Sequence, residues 1–364
     1  MKILVLEDSS QAVYGGGQKI TKIVVEALKD SHLIYLSDYT ENSLFVKDTH
    51  PFVNEMVGLH SKSYRNKYKH RFFQAFYFIK NLFILRSFIH SHEIDILYAT
   101  TKLTLLLAYI LNKFLGLPYV YHAHMALGGT LFDRCLIFTM KKAKIIIAVS
   151  NFVKESIKNL NGKLPIEVCY NPIEYRIGNS KSLPVQRSLK VSFFGTIKDE
   201  KGVCVLMEAA KISLSNSLHI SFLIFGEGNL RSSLSSLDYS NVEFRGHVED
   251  VEMQLVDSTD ILILPSIIPE ACPTIILQAM SKGIPVITTD IGGQKELVKD
   301  GINGFLIPAH SPKAILDSIQ KFQRVPDLYN MISNNNLKDI SRFPNSNSYK
   351  DLIISLFLRL EIKK

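Results

Sequence analysis

Residues 265–307 read PSIIPEACPTIILQAMSKGIPVITTDIGGQKELVKDGINGFLI. The stretch completes an apolar run, DILILPS (260–266), and then enters an apolar-periodic segment opened by Pro273, a residue that suits the first turn of a helix. A β-branched run follows, PVITT (285–289), then the pair Gly292 and Gly293, a short helical piece carrying Glu296, and another run, GFLIP (304–308). Short apolar runs separated by helical segments predict a parallel sheet covered by helices. Ligands of such sheets sit beyond the carboxyl ends of the strands, and there the chain places an acid, Glu270, and an amide, Gln278.

The same alternation extends in both directions. Upstream, KVSFFG (190–195), ISFLIFG (220–226) and VEFRG (242–246) are further strand candidates. An earlier set comprises KILVL (2–6), HLIYL (32–36), IDILYA (94–99), YVYHA (119–123), KIIIAVS (144–150) and IEVCY (166–170). Between the sets, NPIEYRIGNSKSLPVQRS (171–188) is rich in Pro, Asn, Ser and Gly and reads as a connection between domains. The fold class is therefore α/β, with domains expected at 1–172 and 173–345. Apolar residues at helical spacing in SYKDLIISLFLRLEIKK (348–364) predict a terminal helix within 346–364.

With 364 residues, 46% of them hydrophobic, the chain can build a core in each of two domains. The formal charge of +8 favours an anionic partner: a phosphate-bearing small molecule, an anionic membrane surface or nucleic acid. Cys135, Cys169, Cys204 and Cys272 are far apart, with no CxxC pair, so they indicate neither a zinc site nor a disulfide framework, and a reducing cytoplasm is the expected compartment. MKILVLEDSS turns acidic after a few apolar residues and reads as a first strand rather than a signal peptide. The apolar stretches 71–90 and 103–116 are not spans: Lys80 and Arg86 interrupt one and the other is too short.

Glycine turns recur at the predicted strand ends. Gly15, Gly16 and Gly17 precede a helix with an apolar face at Ile20, Ile23, Val24 and Leu28. Such a turn lets backbone approach a ligand, and helix-start amides favour anions, although a plain strand-to-helix turn has the same appearance. Gly195 precedes Lys201 and Gly202 at a helix mouth, where a lysine can hold a diphosphate or be merely solvated. Gly226 and Gly228 follow the next strand.

The ordered array GGGQ (15–18), GLPYVYHAHM (116–125), YNPIE (170–174), FFGTIKDEKG (193–202), GEG (226–228) and residues 265–307 resembles the retaining glycosyltransferases of family 4. That resemblance implies the GT-B fold, two Rossmann-like domains facing each other across a cleft, with the C-terminal helix returning to the first domain. It implies transfer of a sugar from a nucleotide sugar, UDP- or GDP-linked, with retention of anomeric configuration and with neither cofactor nor essential metal ion. The donor would bind mainly the second domain and a glycan or lipid-linked acceptor mainly the first.

Residue by residue, the resemblance puts Glu270 beside the donor sugar and Gln278 where the family's E-x7-E motif has a second Glu that accepts from ribose hydroxyls. An amide has one accepting oxygen and one donating nitrogen, so it suits two vicinal hydroxyls less well than a carboxylate. The amides of Thr274 and Ile275 match the diphosphate cradle, aided by the helix dipole. Lys201 matches the phosphate-binding lysine, whereas Thr196 stands where the family commonly carries an Arg, which removes a bidentate contact that Lys198 replaces only if the loop allows it. Gly16, Gly17, Gly195 and Gly226 take the donor-binding turns. His124, followed here by Met125 instead of Asp, is placed to hydrogen-bond the transferred sugar or the acceptor, while His122 is expected to be structural.

No acid occurs between Leu59 and His92, where Lys62, Arg65, Lys67, Lys69, Arg71, Lys80 and Arg86 interleave with nine aromatics. Residues 60–90 thus suit peripheral contact with an anionic membrane, or equally a helix with aromatics in the core and cations in water. Synthesis of bacterial surface polysaccharide at the inner face of the cytoplasmic membrane fits the former. A GT-B-fold nucleotide-sugar epimerase and a nucleic-acid binder are the rival classes. The first has no separate carboxylate array in the first half, and the second has no recognised module, so a nucleic-acid partner is not expected.

Overall fold

The computed structural model describes residues 1–8, 15–39, 43–60, 67–161, 164–173 and 188–361, with backbone alone for 67–74, 161 and 326. The chain forms two compact units, Met1–Pro172 with Ser346–Lys364, and Ile173–Asn345. Most of the predicted connection, 174–187, lies outside the described residues.

The first unit holds β1 (Lys2–Leu6), β2 (Leu33–Asp38), β3 (Glu55–Gly58), β4 (Ile96–Ala99), β5 (Tyr119–Ala123), β6 (Ile145–Ala148) and β7 (Ile166–Val168). They form one sheet in the order β3-β2-β1-β4-β5-β6-β7, with every pairing parallel. The second unit holds β8 (Leu189–Phe194), β9 (Ile220–Phe225), β10 (Val242–Gly246), β11 (Ile261–Leu264), β12 (Val286–Thr289) and β13 (Gly304–Ile307). Their order, β10-β9-β8-β11-β12-β13, repeats the plan, again with parallel pairs throughout. Central strands are buried along their length, β4, β6, β11 and β12 at every residue, as a sheet covered on both faces requires.

Among the described residues, twelve of the thirteen strands coincide with runs legible in the sequence. The exception, β3, is an edge strand pairing only with β2, and its partly exposed EMVG has no apolar run to betray it. The helix Ser346–Glu361 belongs to the first unit. Its Tyr349, Ile353, Leu356 and Phe357 join a core with Ile20, Val24 and Leu28 of the helix Gly16–Leu28. Ile173 and Asn345, first and last in the second unit, form a β-bridge, so the chain enters and leaves that unit side by side.

In each sheet the strand order reverses once, between β1 and β4 and between β8 and β11. Such reversal points, where the loops leaving adjacent strands run in opposite directions, are where sheets of this kind bind ligands.

Candidate active site

Glu270 follows β11, and Lys201 closes the short turn after β8, so the adjacency of the two strands brings together residues far apart in sequence. Lys201 Nζ lies 2.7 Å from Glu270 Oε2, and the Ser266 hydroxyl donates to Oε1. Both carboxylate oxygens are therefore held while the group keeps 15% exposure toward solvent. The backbone is held as well. The Glu270 amide donates to Gln294 Oε1 at 3.3 Å, and its carbonyl accepts from the Gly293 amide at 2.7 Å. Fully buried Gln294 donates in turn to Thr289 Oγ1, which donates to the Ser266 carbonyl. The ring of contacts leaves Glu270 little rotational freedom, and a fixed carboxylate loses little entropy when it receives a ligand.

Sequence reasoning gave the glycines of this unit the task of admitting a ligand; in the structure several of them are also needed for close packing of the loops. A β-carbon on Gly226, whose φ is +132°, would stand 1.9 Å from the Gly195 carbonyl oxygen. The Gly226 amide already donates to the Gly246 carbonyl and the Gly195 amide to the Phe225 carbonyl. Gly293 is likewise pressed on the Ala271 carbonyl, 2.0 Å from where its β-carbon would lie. These residues pack the site's loops against one another, and neither the Gly195 nor the Gly226 amide is free for a phosphate.

The helix Thr274–Ser281 starts after Pro273, which supplies no side-chain cap. The Ile276 amide turns back to the Pro273 carbonyl, and those of Thr274 and Ile275 have no partner among the described residues. Uncapped helix-start amides are anion-binding groups. Gln278 sits one turn further on, half-buried, with no side-chain hydrogen bond among the described residues. Thr196 and Lys198 are exposed beside the turn that carries Lys201.

In the first unit the residues cluster at the other reversal point. A cavity of about 560 Å³ opens beyond β1, β4 and β5, lined by Glu7, Asp8, Gly17, Thr101, Lys102 and His124 among others. A β-carbon on Gly17 would lie 3.5 Å from the His124 ring, whereas nothing lies within 4 Å of one on Gly16. The rings of His122 and His124 lie with centroids 4.1 Å apart, their planes tilted by 36°. His122 is fully buried, 2.5 Å from the Tyr98 hydroxyl, and burial holds its pKa well below the usual value. Burial also pulls His124 down to about 4, so its ring is neutral at physiological pH, and its covered Nε2 has no hydrogen-bond partner.

Several residues of these sites escaped sequence reasoning, among them Ser266, Gln294, Glu7 and Asp8. Ser266 and Gln294 lie within the quoted stretch but act through contacts that no spacing announces. Glu7 and Asp8 were seen only as the acidic end of a first strand. Glu7 is 3% exposed, accepts from Thr21 Oγ1 at 3.0 Å, and burial pushes its pKa up to about 7.

Elsewhere, among the described residues, no group of three or more His, Cys, Asp or Glu is arranged to hold a metal ion, and no helix is long and apolar enough to cross a membrane. The helix Lys67–His92 carries the basic aromatic segment. Lys62, Tyr64 and Arg65 lie outside the described residues, and of the positions up to 74 only backbone is described. Beyond them Phe88 is buried, whereas Phe76, Ile79 and Phe83 are more than half exposed.

Two family models match: "Glycosyltransferase Family 4" over residues 41–176 and "Glycosyl transferases group 1" over residues 188–324. The chain belongs to the family 4 glycosyltransferases. It is 26% identical over 317 residues to the Escherichia coli UDP-Gal:alpha-D-GlcNAc-diphosphoundecaprenol alpha-1,3-galactosyltransferase, covering 79% of this chain and 81% of that protein. It is also 26% identical over 156 residues to the capsular polysaccharide biosynthesis glycosyltransferase CapM of Staphylococcus aureus, covering 41% and 40%. Alignments with the first curated relatives take in 56%, 40% and 47% of those proteins, so the chain spans about half their length. The crystal structure of Anabaena HepE in complex with UDP superposes with a TM-score of 0.79 at 20% identity, covering 99% of this chain and all of that one. The fold class is GT-B, built from two Rossmann-like units.

Proposed function

We propose that this protein transfers a sugar from a UDP- or GDP-sugar to a glycan or lipid-linked acceptor, with retention of anomeric configuration, in bacterial surface polysaccharide synthesis. The observation that carries this reading is the pairing of Lys201 with Glu270 at the second unit's reversal point, beside an uncapped helix start.

The second unit is the donor side and the first the acceptor side. The diphosphate sits at the amides of Thr274 and Ile275, where the helix dipole favours negative charge, and Lys201 turns from Glu270 to a phosphate oxygen. That frees one Glu270 oxygen to accept from a hydroxyl of the donor sugar, and Gln278 takes the ribose hydroxyls. The bond from the anomeric carbon to the diphosphate oxygen breaks, the bond to the acceptor oxygen forms on the same face, and the acceptor proton goes to the leaving diphosphate. His124, neutral because buried, serves as a hydrogen-bonding group to the sugars and not as the base. Gly16, with open space around it, offers backbone to the donor. Charge on the leaving group is met by Lys201 and the amides, without a metal ion.

The relatives support the substrate classes: one is named for a UDP-sugar donor and an undecaprenol-linked acceptor, another for capsular polysaccharide. The basic aromatic segment, with Phe76, Ile79 and Phe83 exposed beside Lys80 and Arg86, supports peripheral contact with the anionic inner face of the cytoplasmic membrane.

Thermal-shift screening with UDP, GDP, ADP and CMP and their sugar conjugates tests the donor. We expect a UDP or GDP compound to stabilise the protein. No response to any of them, together with salt-dependent oligonucleotide binding, sinks the reading. Release of an inverted sugar still bound to nucleotide makes the protein an epimerase instead.

A further inference from the structure

We propose that the cavity of the first unit binds a neutral, hydroxyl-rich sugar ring and rejects sugars bearing a carboxylate or a phosphate. The inference rests on the glycosyltransferase reading and names the sugar class that its first unit takes.

The whole chain carries +8, which favours anionic partners, but this cavity has the opposite character. Glu7 and Asp8 line it from the end of β1. The single cation lining it among the described residues, Lys102, is committed: its Nζ lies 2.6 Å from Oδ1 of Asp133, a carboxylate only 2% exposed. His124 is uncharged at neutral pH. A uronate or phosphate entering here would meet two carboxyl groups and, among the described residues, no free cation, and would give up its hydration without compensation. Hydroxyl groups fare differently, because carboxyl groups accept from them at no charge penalty. The lining also holds Phe132 and Met125, 51% and 64% exposed, an apolar platform for the C–H face of a pyranose. A few convergent polar groups over an aromatic wall is the composition of a small-ligand pocket.

Saturation-transfer difference NMR on the full chain tests this, using methyl α-glucopyranoside and methyl α-mannopyranoside against methyl glucuronide and glucose 6-phosphate. We expect the neutral glycosides to give signals roughly fivefold or more above the charged ones. Phe132→Ala should remove most of the signal, and Asp8→Asn should narrow the preference against glucuronide. Glu7→Gln should narrow it further, and Asp8→Asn serves alone if that variant does not fold. Displacement by UDP-glucose but not by UDP marks the occupant as the donor's sugar, and displacement by neither marks it as the acceptor's; the preference for neutral rings is expected in both cases. Equal or stronger signals from glucuronide or glucose 6-phosphate, no signal from any glycoside, or no effect of Phe132→Ala overturns the proposal. Thermal shift with UDP in the same samples separates the failures. Stabilisation by UDP without the charge preference removes this inference alone, whereas no nucleotide response removes the glycosyltransferase reading.

Discussion

Lys201 Nζ and Glu270 Oε2 stand 2.7 Å apart, although 69 residues separate them in the chain. The pair exists because β8 and β11 are neighbours in the sheet, so the turn after one strand faces the loop after the other. Under the proposed function, an incoming diphosphate and the Glu270 carboxylate would compete for one ammonium, coupling donor binding to release of the carboxylate for the sugar.

Glu270→Ala should lower sugar transfer or donor hydrolysis by on the order of 10²–10³, the scale of losing one preorganised polar group at a reacting centre. Steady-state assays with the donor found by screening measure this. Unchanged turnover would remove Glu270 from the site.

Gln294→Leu should reduce turnover roughly tenfold or more while changing the donor KM little. The side chain contacts the backbone amide of Glu270 and the Thr289 hydroxyl, and so positions the carboxylate without being placed to touch the donor. A matching rise in KM with kcat unchanged would contradict a positioning role.

Gln278→Glu should tighten UDP binding roughly fivefold, since a hydrogen bond to a charged acceptor exceeds a neutral one by about 1 kcal/mol. Titration calorimetry with UDP measures it, and weaker binding would argue that the chain has adapted to the amide.

The glycines should separate into two kinds. Gly226→Ala meets the Gly195 carbonyl at a backbone angle that disfavours any side chain, and should cost at least about 2 kcal/mol and at least about 4 °C in Tm. Gly16→Ala adds a methyl group to open space and should leave Tm unchanged or slightly higher, while lowering donor turnover if backbone there approaches the ligand.

Glu7 should make stability fall with pH. Its pKa is raised from 4.5 to about 7, chiefly by burial, so the folded state holds the proton more tightly than the unfolded state does. The penalty is absent below about pH 4.5, grows as pH rises toward 7, and is constant above, reaching roughly 3 kcal/mol. Relative to the parent, Glu7→Gln should therefore gain stability between pH 4 and pH 8 by about that amount, read from urea unfolding at the two pH values. An equal difference at both would show that Glu7 ionises freely.

Much of this protein is settled by local pattern. Alternating apolar runs and helical segments are sufficient for two parallel α/β units, because a strand covered on both faces needs apolar residues throughout, and that need is written locally. Glu270, Lys201 and the helix start at Thr274 were legible as well, since each ends a recognisable run. Tertiary structure alone decided what those residues touch. Ser266, Gln294 and Thr289 close around Glu270 only because β11 and β12 lie side by side. Gly226 and Gly293 proved to serve loop packing because the carbonyls of Gly195 and Ala271, from neighbouring loops, press on them. Glu7, unremarkable as the seventh residue of a chain, became a buried acid lining a cavity because the strand order reverses next to β1. Strand neighbours are chosen by the burial and pairing of whole elements, a non-local free energy that no single segment carries, so contacts across a reversal point stay unwritten in the spacing of residues.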